Sequence, residues 1–135
     1  YALSMEGSLK LKEVSYIHSE SYAAGELKHG TISLIEDGMP VISVATQSDL
    51  IAKTISNIVE VKSRGAMNIL VCSEACARTL EDGIADYVIK VPQTDELLMP
   101  ISAVVPLQIL AYYTAVNKGN DPDKPRNLAK SVTVE

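Results

Sequence analysis

The chain has 135 residues and a net charge of −5, the size of one domain or of one lobe of a larger protein. Hydrophobic residues make up 47% of it and aromatic residues only 4%, so aliphatic side chains must form the core, as they do around buried parallel strands. The acidic balance argues against a nucleic-acid partner. With no run of 18 apolar residues we also expect no membrane span.

Taken in chain order, the hydrophobic pattern predicts a helix over residues 2–19 and a short helical or turn segment over 20–28. TISLI (31–35) has the pattern of a short extended piece before the EDGMP turn. The later segments are predicted as strand 41–46, a helix ending near residue 64, strand 67–72, strand 85–91 and helix 95–117. Pro106 is expected to bend or divide the last helix.

Strands separated by helical crossovers predict an α/β fold, a three-layer sandwich whose mainly parallel sheet is flanked by helices. Residues 1–117 are assigned to this domain, and 118–135 to an extended C-terminal tail. Because the chain begins at Tyr1 and enters a helix almost at once, we expect its start to be a cut inside a longer protein. No signal peptide pattern is present.

Cys72 and Cys76 are spaced C-x-x-x-C, without the second pair or the nearby histidine that would complete a metal site. Cys72 ends the apolar run MNILVC, where a buried thiol is ordinary. Both are therefore predicted to be structural. A reducing cytoplasm is the expected compartment.

Three charged residues share one face of the first predicted helix. At about 100° per residue, Glu6, Lys10 and Glu13 fall within about 60° of one another, inside the stripe that also carries Leu9 and Ile17. One interpretation is a surface pair between Glu6 and Lys10. The other is a cleft, in which burial and the central ammonium prepare one carboxylate for proton transfer.

Two further residues are candidates for chemistry. His29, in ELKHGT, either ends a helical segment or supplies a group that titrates near neutrality. Lys130, the one amine in RNLAKSVTVE, is either exposed to solvent or desolvated and able to form a Schiff base with a carbonyl substrate.

Together, EGSLKLKEVSYIHSESYAAGELKHG and KPRNLAKSVTVE resemble the glutamine-dependent fructose-6-phosphate aminotransferases, the glucosamine-6-phosphate synthases. The resemblance runs through the whole chain and fits the second, C-terminal sugar isomerase (SIS) lobe of those enzymes. Thr31 departs from the family, which usually has proline after His-Gly. It affects the turn and not the chemistry.

The resemblance implies a role for each candidate. Glu13 would move the proton between C1 and C2 of the sugar, with Lys10 and Glu6 in its network. His29 would open the sugar ring, and in the family it reaches the active site of the neighbouring subunit. Lys130 would form the imine with the ketose, and Ala129 would touch the sugar through its backbone. No metal or redox cofactor is implied.

The resemblance also implies partners: a sugar phosphate, the first SIS lobe and glutaminase domain of a parent chain, and a second copy in a homodimer. Without those parts the fragment alone is expected to have little or no synthase activity. Two alternatives remain, a non-catalytic sugar-phosphate-binding SIS module and a dimerisation lobe. Neither requires paired carboxylates or a Schiff-base lysine.

Overall fold

The computed structural model describes residues 1–128, whose helices and strands alternate around a small sheet. In chain order these are α1 (Ala2–Ser15), β1 (Pro40–Ala45), α2 (Ile51–Lys62), β2 (Met67–Ser73), α3 (Glu74–Ala77), β3 (Tyr87–Val91) and α4 (Met99–Asn117). Three short 3₁₀ helices, 24–29, 31–34 and 48–50, connect them. From residue 118 to 128 the chain forms turns and bends.

The sheet is parallel throughout, in the order β1-β2-β3. Its central strand β2 is buried, and helices cover both of its faces. Ile58 of α2 lies in the core of one face with Leu70 and Cys72, while Met99 and Leu107 of α4 lie in the core of the other with Val71. This arrangement confirms the predicted α/β sandwich, because side chains that alternate along β2 enter opposite layers.

Cys72 of β2 and Cys76 of α3 are both buried in the core that Ile58 of α2 also enters. Burial, the largest cause, and the neighbouring Cys76 together raise the pKa of the Cys72 thiol to about 12. A thiol with so high a pKa stays protonated and unreactive near neutrality. This agrees with the structural role predicted for both residues.

Helices α1 and α4 pack side by side on the β2 face that α2 does not cover. Gly7 of α1 is buried, and a Cβ built there would lie 3.1 Å from Cδ1 of Leu107. On α4 every fourth residue is buried: Met99, Ala103, Leu107, Ala111 and Ala115. Small residues along this stripe let the two helix backbones approach closely.

Several local predictions differ from the structure. Residues 31–34 form a 3₁₀ helix where an extended piece was predicted, with the Ile35 amide donating to the Ile32 carbonyl. The first helix ends at Ser15, because Tyr16 adopts a left-handed backbone with φ 56°. Pro106 does not divide α4, which runs unbroken from Met99 to Asn117. Buried neighbours on either side of Pro106 hold the helix together across the missing hydrogen bond.

The outer face of α4 is apolar and exposed. Ile101 is 66% exposed, Tyr113 59% and Val105 45%, and no charged residue occurs between Leu97 and Asn117. By length and composition α4 is also the one helix of the described residues that could cross a membrane. A helix packed in a protein core passes the same test, and the inner stripe of α4 is buried here against α1 and the sheet.

Replacing Gly7 by leucine should destabilise the chain by about 1–3 kcal/mol, because the larger side chain must push α1 away from Leu107. Gly7→Ala should cost less than Gly7→Leu, since its Cβ meets Leu107 Cδ1 at 3.1 Å and Leu107 Cβ at 3.3 Å, and its better helix propensity of about 1 kcal/mol offsets that crowding. Denaturant unfolding measures both. The control is Gly25→Leu, where an added Cβ meets nothing within 4 Å. Equal losses at both positions would contradict a close approach of α1 and α4.

Candidate functional site

The three charged residues of α1 form one connected network. The Lys10 ammonium lies 2.6 Å from Oε2 of Glu13 and 3.5 Å from Oε1 of Glu6. All three side chains are about one third exposed, at 31%, 28% and 38% for Lys10, Glu13 and Glu6. The lysine therefore bridges two carboxylates that the helix places one turn to either side of it.

The shorter of these contacts dominates the electrostatics of Lys10. Its hydrogen bond to Glu13 is the largest cause that raises the Lys10 pKa above the ordinary value, and attraction to both carboxylates adds to it against the cost of burial. Lys10 therefore stays a cation throughout the physiological range. A cation at this distance favours one orientation of the Glu13 carboxylate.

Glu13 also lines an open groove of about 440 Å³ at the C-terminal end of α1. The lining residues come from the end of α1, the turn after it and the segment that follows α4: Lys12, Glu13, Tyr16, Ile17, His18, Arg126, Asn127 and Leu128. Neither Glu6 nor Lys10 is among them. Of the three charged residues, Glu13 is therefore the one that can contact a molecule bound in the groove.

The groove exists because two segments distant in sequence meet there. The backbone amide of Arg126 donates a hydrogen bond of 2.8 Å to the Tyr16 hydroxyl, and the Arg126 guanidinium lies 4.1 Å from the centre of the Tyr16 ring. On the other side of α1, Ser8 donates to the Ser19 carbonyl at 2.9 Å. This second contact holds the segment that follows Tyr16 against the side of α1.

His29 lies away from this groove. It is exposed at the end of the 3₁₀ helix 24–29, which contacts α2. An ion pair of 2.7 Å between Lys28 and Glu60 fastens that segment to α2. Within the described part of the chain, His29 is therefore not brought to the carboxylates of α1. Lys130 and Ala129 lie outside the described residues.

Sequence reasoning gave no role to Tyr16, Arg126 or Lys12, all of which line the groove. Tyr16 and Arg126 each fall inside a stretch that carries the family resemblance. Nothing in either stretch indicates that they meet, because the contact joins positions 110 residues apart. Only the tertiary fold reveals it.

Comparison with known proteins gives consistent matches. A family model described as "SIS domain" matches residues 1–118. The chain is 58% identical over all 135 residues to a glutamine–fructose-6-phosphate aminotransferase (isomerizing) of Caldanaerobacter subterraneus, of which it covers 22%. It is 56% identical over 133 residues, 98% of its length, to the protein of the same name from Thermococcus kodakarensis, of which it covers 21%.

Two solved structures are similar as well. The C-terminal domain of glucosamine-fructose-6-phosphate aminotransferase from Francisella tularensis superimposes with a TM-score of 0.86 at 39% identity, over 92% of this chain and 34% of that one. A glucosamine-6-phosphate deaminase from Thermotoga maritima gives a TM-score of 0.74 at 28% identity, over 98% of this chain and 37% of that one.

The Lys10 network should stabilise the fold in a pH-dependent way. Because the folded-state pKa of Lys10 is raised, its contribution is fully present below the unfolded value near 10.5 and is lost as the pH rises through the folded value. Lys10→Met should therefore lower the free energy of unfolding by about 0.2–1 kcal/mol at pH 7, and the difference from the wild type should shrink above pH 10.5.

Urea unfolding between pH 7 and pH 11 measures this difference. Lys53→Met, at an exposed position of α2, controls for the loss of a surface charge. A difference between Lys10→Met and the wild type that stays constant up to pH 11 would show that the ion pairs contribute nothing to stability.

Proposed function

Because the chain belongs to the SIS domain family, we propose that it is the C-terminal SIS lobe of a glutamine–fructose-6-phosphate aminotransferase. The chain spans about 22% of the length of the curated relatives it matches. The activity is therefore proposed for a longer protein, in which fructose-6-phosphate and ammonia from glutamine yield glucosamine-6-phosphate. This chain contributes part of the sugar-isomerising site.

One observation carries the proposal: Lys10 holds Glu13 at the wall of a groove that the segment leading to Lys130 also lines. A carboxylate of fixed orientation can move a proton between two adjacent carbons of a bound sugar. We assign that 1,2-proton transfer to Glu13. We assign to Lys10 and Glu6 the role of orienting Glu13.

The remaining roles complete the reaction. The amine of Lys130 attacks the ketose carbonyl, water leaves, and an imine forms. Ammonia then adds to this imine and releases the Lys130 amine, and the imine of the sugar that results is easier to deprotonate at C1, from which Glu13 moves the proton to C2. The backbone of Ala129 contacts the sugar beside it. His29, exposed on the far layer of the sandwich, opens the sugar ring in the site of a second subunit. The proton transfer itself needs no metal or redox cofactor.

The proposed partners are the first SIS lobe and the glutaminase domain of the parent chain, and a second copy in a homodimer. The proposed compartment is the cytoplasm. The 135-residue chain alone is expected to make no glucosamine-6-phosphate from glutamine. It would lack both the ammonia source and most of the sugar-phosphate anchor.

An interface with another SIS lobe is the second candidate function, and the exposed face of α4 favours it. A helix that is apolar on all sides is normally buried on all sides. We propose that the first SIS lobe of the parent chain covers this face. The two functions are compatible, since one lobe can contribute both an interface and catalytic side chains.

The proton-transfer role can be tested in a chimera, the Caldanaerobacter relative carrying this sequence in place of its matching segment. Glu13→Gln should lower kcat by about 10²–10⁴-fold, because the amide cannot accept the proton. Borohydride trapping of fructose-6-phosphate at Lys130 should persist, since imine formation precedes the transfer. Glu36→Gln, at an exposed position between elements, should leave both unchanged. Full activity of Glu13→Gln would refute the assignment.

The proposed role of α4 predicts that one substitution behaves differently in two proteins. Ile101→Glu should change the free energy of unfolding of the 135-residue chain by no more than about 0.5 kcal/mol, because the side chain is exposed there. In the chimera it should lower the melting temperature, because a charge then enters an apolar interface. The control is Val59→Glu, at an exposed position of α2. Equal melting temperatures for the two variants in the chimera would contradict coverage of α4.

A further inference from the structure

The contact between Tyr16 and Arg126 joins the end of α1 to the segment that follows α4, 110 residues away. Arg126 uses two different groups, its amide to the Tyr16 hydroxyl at 2.8 Å and its guanidinium over the ring at 4.1 Å. Paired contacts of this kind fix both the position and the direction of the chain at Arg126.

Among the hydrogen bonds described for residues 121–128, this is the one that reaches another element. The others, from the Asp123 amide to the Asp121 carboxylate and from the Lys124 amide to the Asp121 carbonyl, stay within the segment. The segment is also largely exposed. Its hydrogen-bonded attachment to the domain therefore depends on Tyr16.

The backbone conformation also singles out Tyr16 and the residue after Arg126. Within residues 1–128, Tyr16 (φ 56°) and Asn127 (φ 63°) are the non-glycine residues with positive φ, and both line the groove. Asparagine tolerates this region well, but for a bulky residue such as tyrosine it is unusual and costs free energy. Glycine would adopt the turn at lower cost, so the tyrosine side chain must contribute something beyond the turn.

We propose that Tyr16 is a positioning residue. By holding Arg126 it sets the point and direction from which the chain continues toward Lys130. The inference rests on the proposed function, because it needs Lys130 to act as the imine-forming amine. Tyr16 follows Glu13 by three residues, directly after the end of α1, and both line the groove, so the proposed proton-transferring group and the residue that holds Arg126 are neighbours in the chain.

The experiment uses the chimera described above and measures, per folded molecule, the rate of borohydride trapping of fructose-6-phosphate at Lys130. Tyr16→Phe removes the accepting hydroxyl and keeps the ring, and should slow trapping by about two- to tenfold. Tyr16→Leu removes both contacts and should slow it more. Arg126→Lys keeps a cation over the ring and should retain more trapping than Arg126→Leu.

Controls separate positioning from a general loss of structure. Tyr87→Leu changes an exposed tyrosine of β3 and should leave trapping unchanged. The pH profile of kcat should keep its shape in Tyr16→Phe, because Glu13 and Lys10 are untouched. In the 135-residue chain, hydrogen exchange of the Arg126 amide should accelerate by about two- to tenfold in Tyr16→Phe. This measurement needs no activity.

The outcomes are distinguishable. If the wild-type chimera traps the sugar and Tyr16→Leu traps it at the same rate, the positioning role is wrong and the proposed function stands. If the active wild-type chimera gives no adduct at Lys130, the assignment of the imine fails, and the positioning role fails with it. If the hydrogen-exchange rate of the Arg126 amide is the same in Tyr16→Phe as in the wild type, the inference is also wrong, whatever the trapping rates in the chimera.

Discussion

The close approach of α1 to α4 at Gly7 and Leu107 fixes where every other part of the site can lie. It presses one face of α1 into the layer and leaves the stripe of Glu6, Lys10 and Glu13 at its edge, about one third exposed. The chain after α4 returns to the end of α1, where the Arg126 amide donates to the Tyr16 hydroxyl. The groove beside Glu13 is thus formed by tertiary contacts, and its lining residues need no local sequence signal to meet.

The trio combines features of a surface charge pair with a position beside a groove. The ion pairs lie at the helical spacings of three and four residues, as surface pairs do. Glu13 nevertheless lines a groove that neither of its partners lines. The hydrogen bond to Glu13 keeps the pKa of Lys10 raised against the cost of burial, and the Glu13 carboxylate is about one quarter exposed, at 28%. For the proton transfer proposed for Glu13, access to solvent would let the carboxylate exchange its proton between turnovers.

Sequence patterns predicted the alternation of elements, the parallel sheet and the buried cysteines, because these follow from hydrophobic period and composition. They failed where tertiary contacts decide. The residues of TISLI favour a strand by composition but form a 3₁₀ helix. The packing of α4 keeps Pro106 inside one helix. Within the site, periodicity found the charges of α1, whereas Tyr16 and Arg126 could not be paired because their contact spans the domain.

The apolar outer face of α4 also affects how the stability of this sequence should be understood. Each 100 Å² of apolar surface covered on that face would add about 2.5 kcal/mol of favourable transfer free energy, before the entropy lost on association is subtracted. That gain exists only where a covering partner is present, so it depends on protein concentration and on the length of chain expressed. The melting temperature of these 135 residues is therefore a property of the assembly in which it is measured.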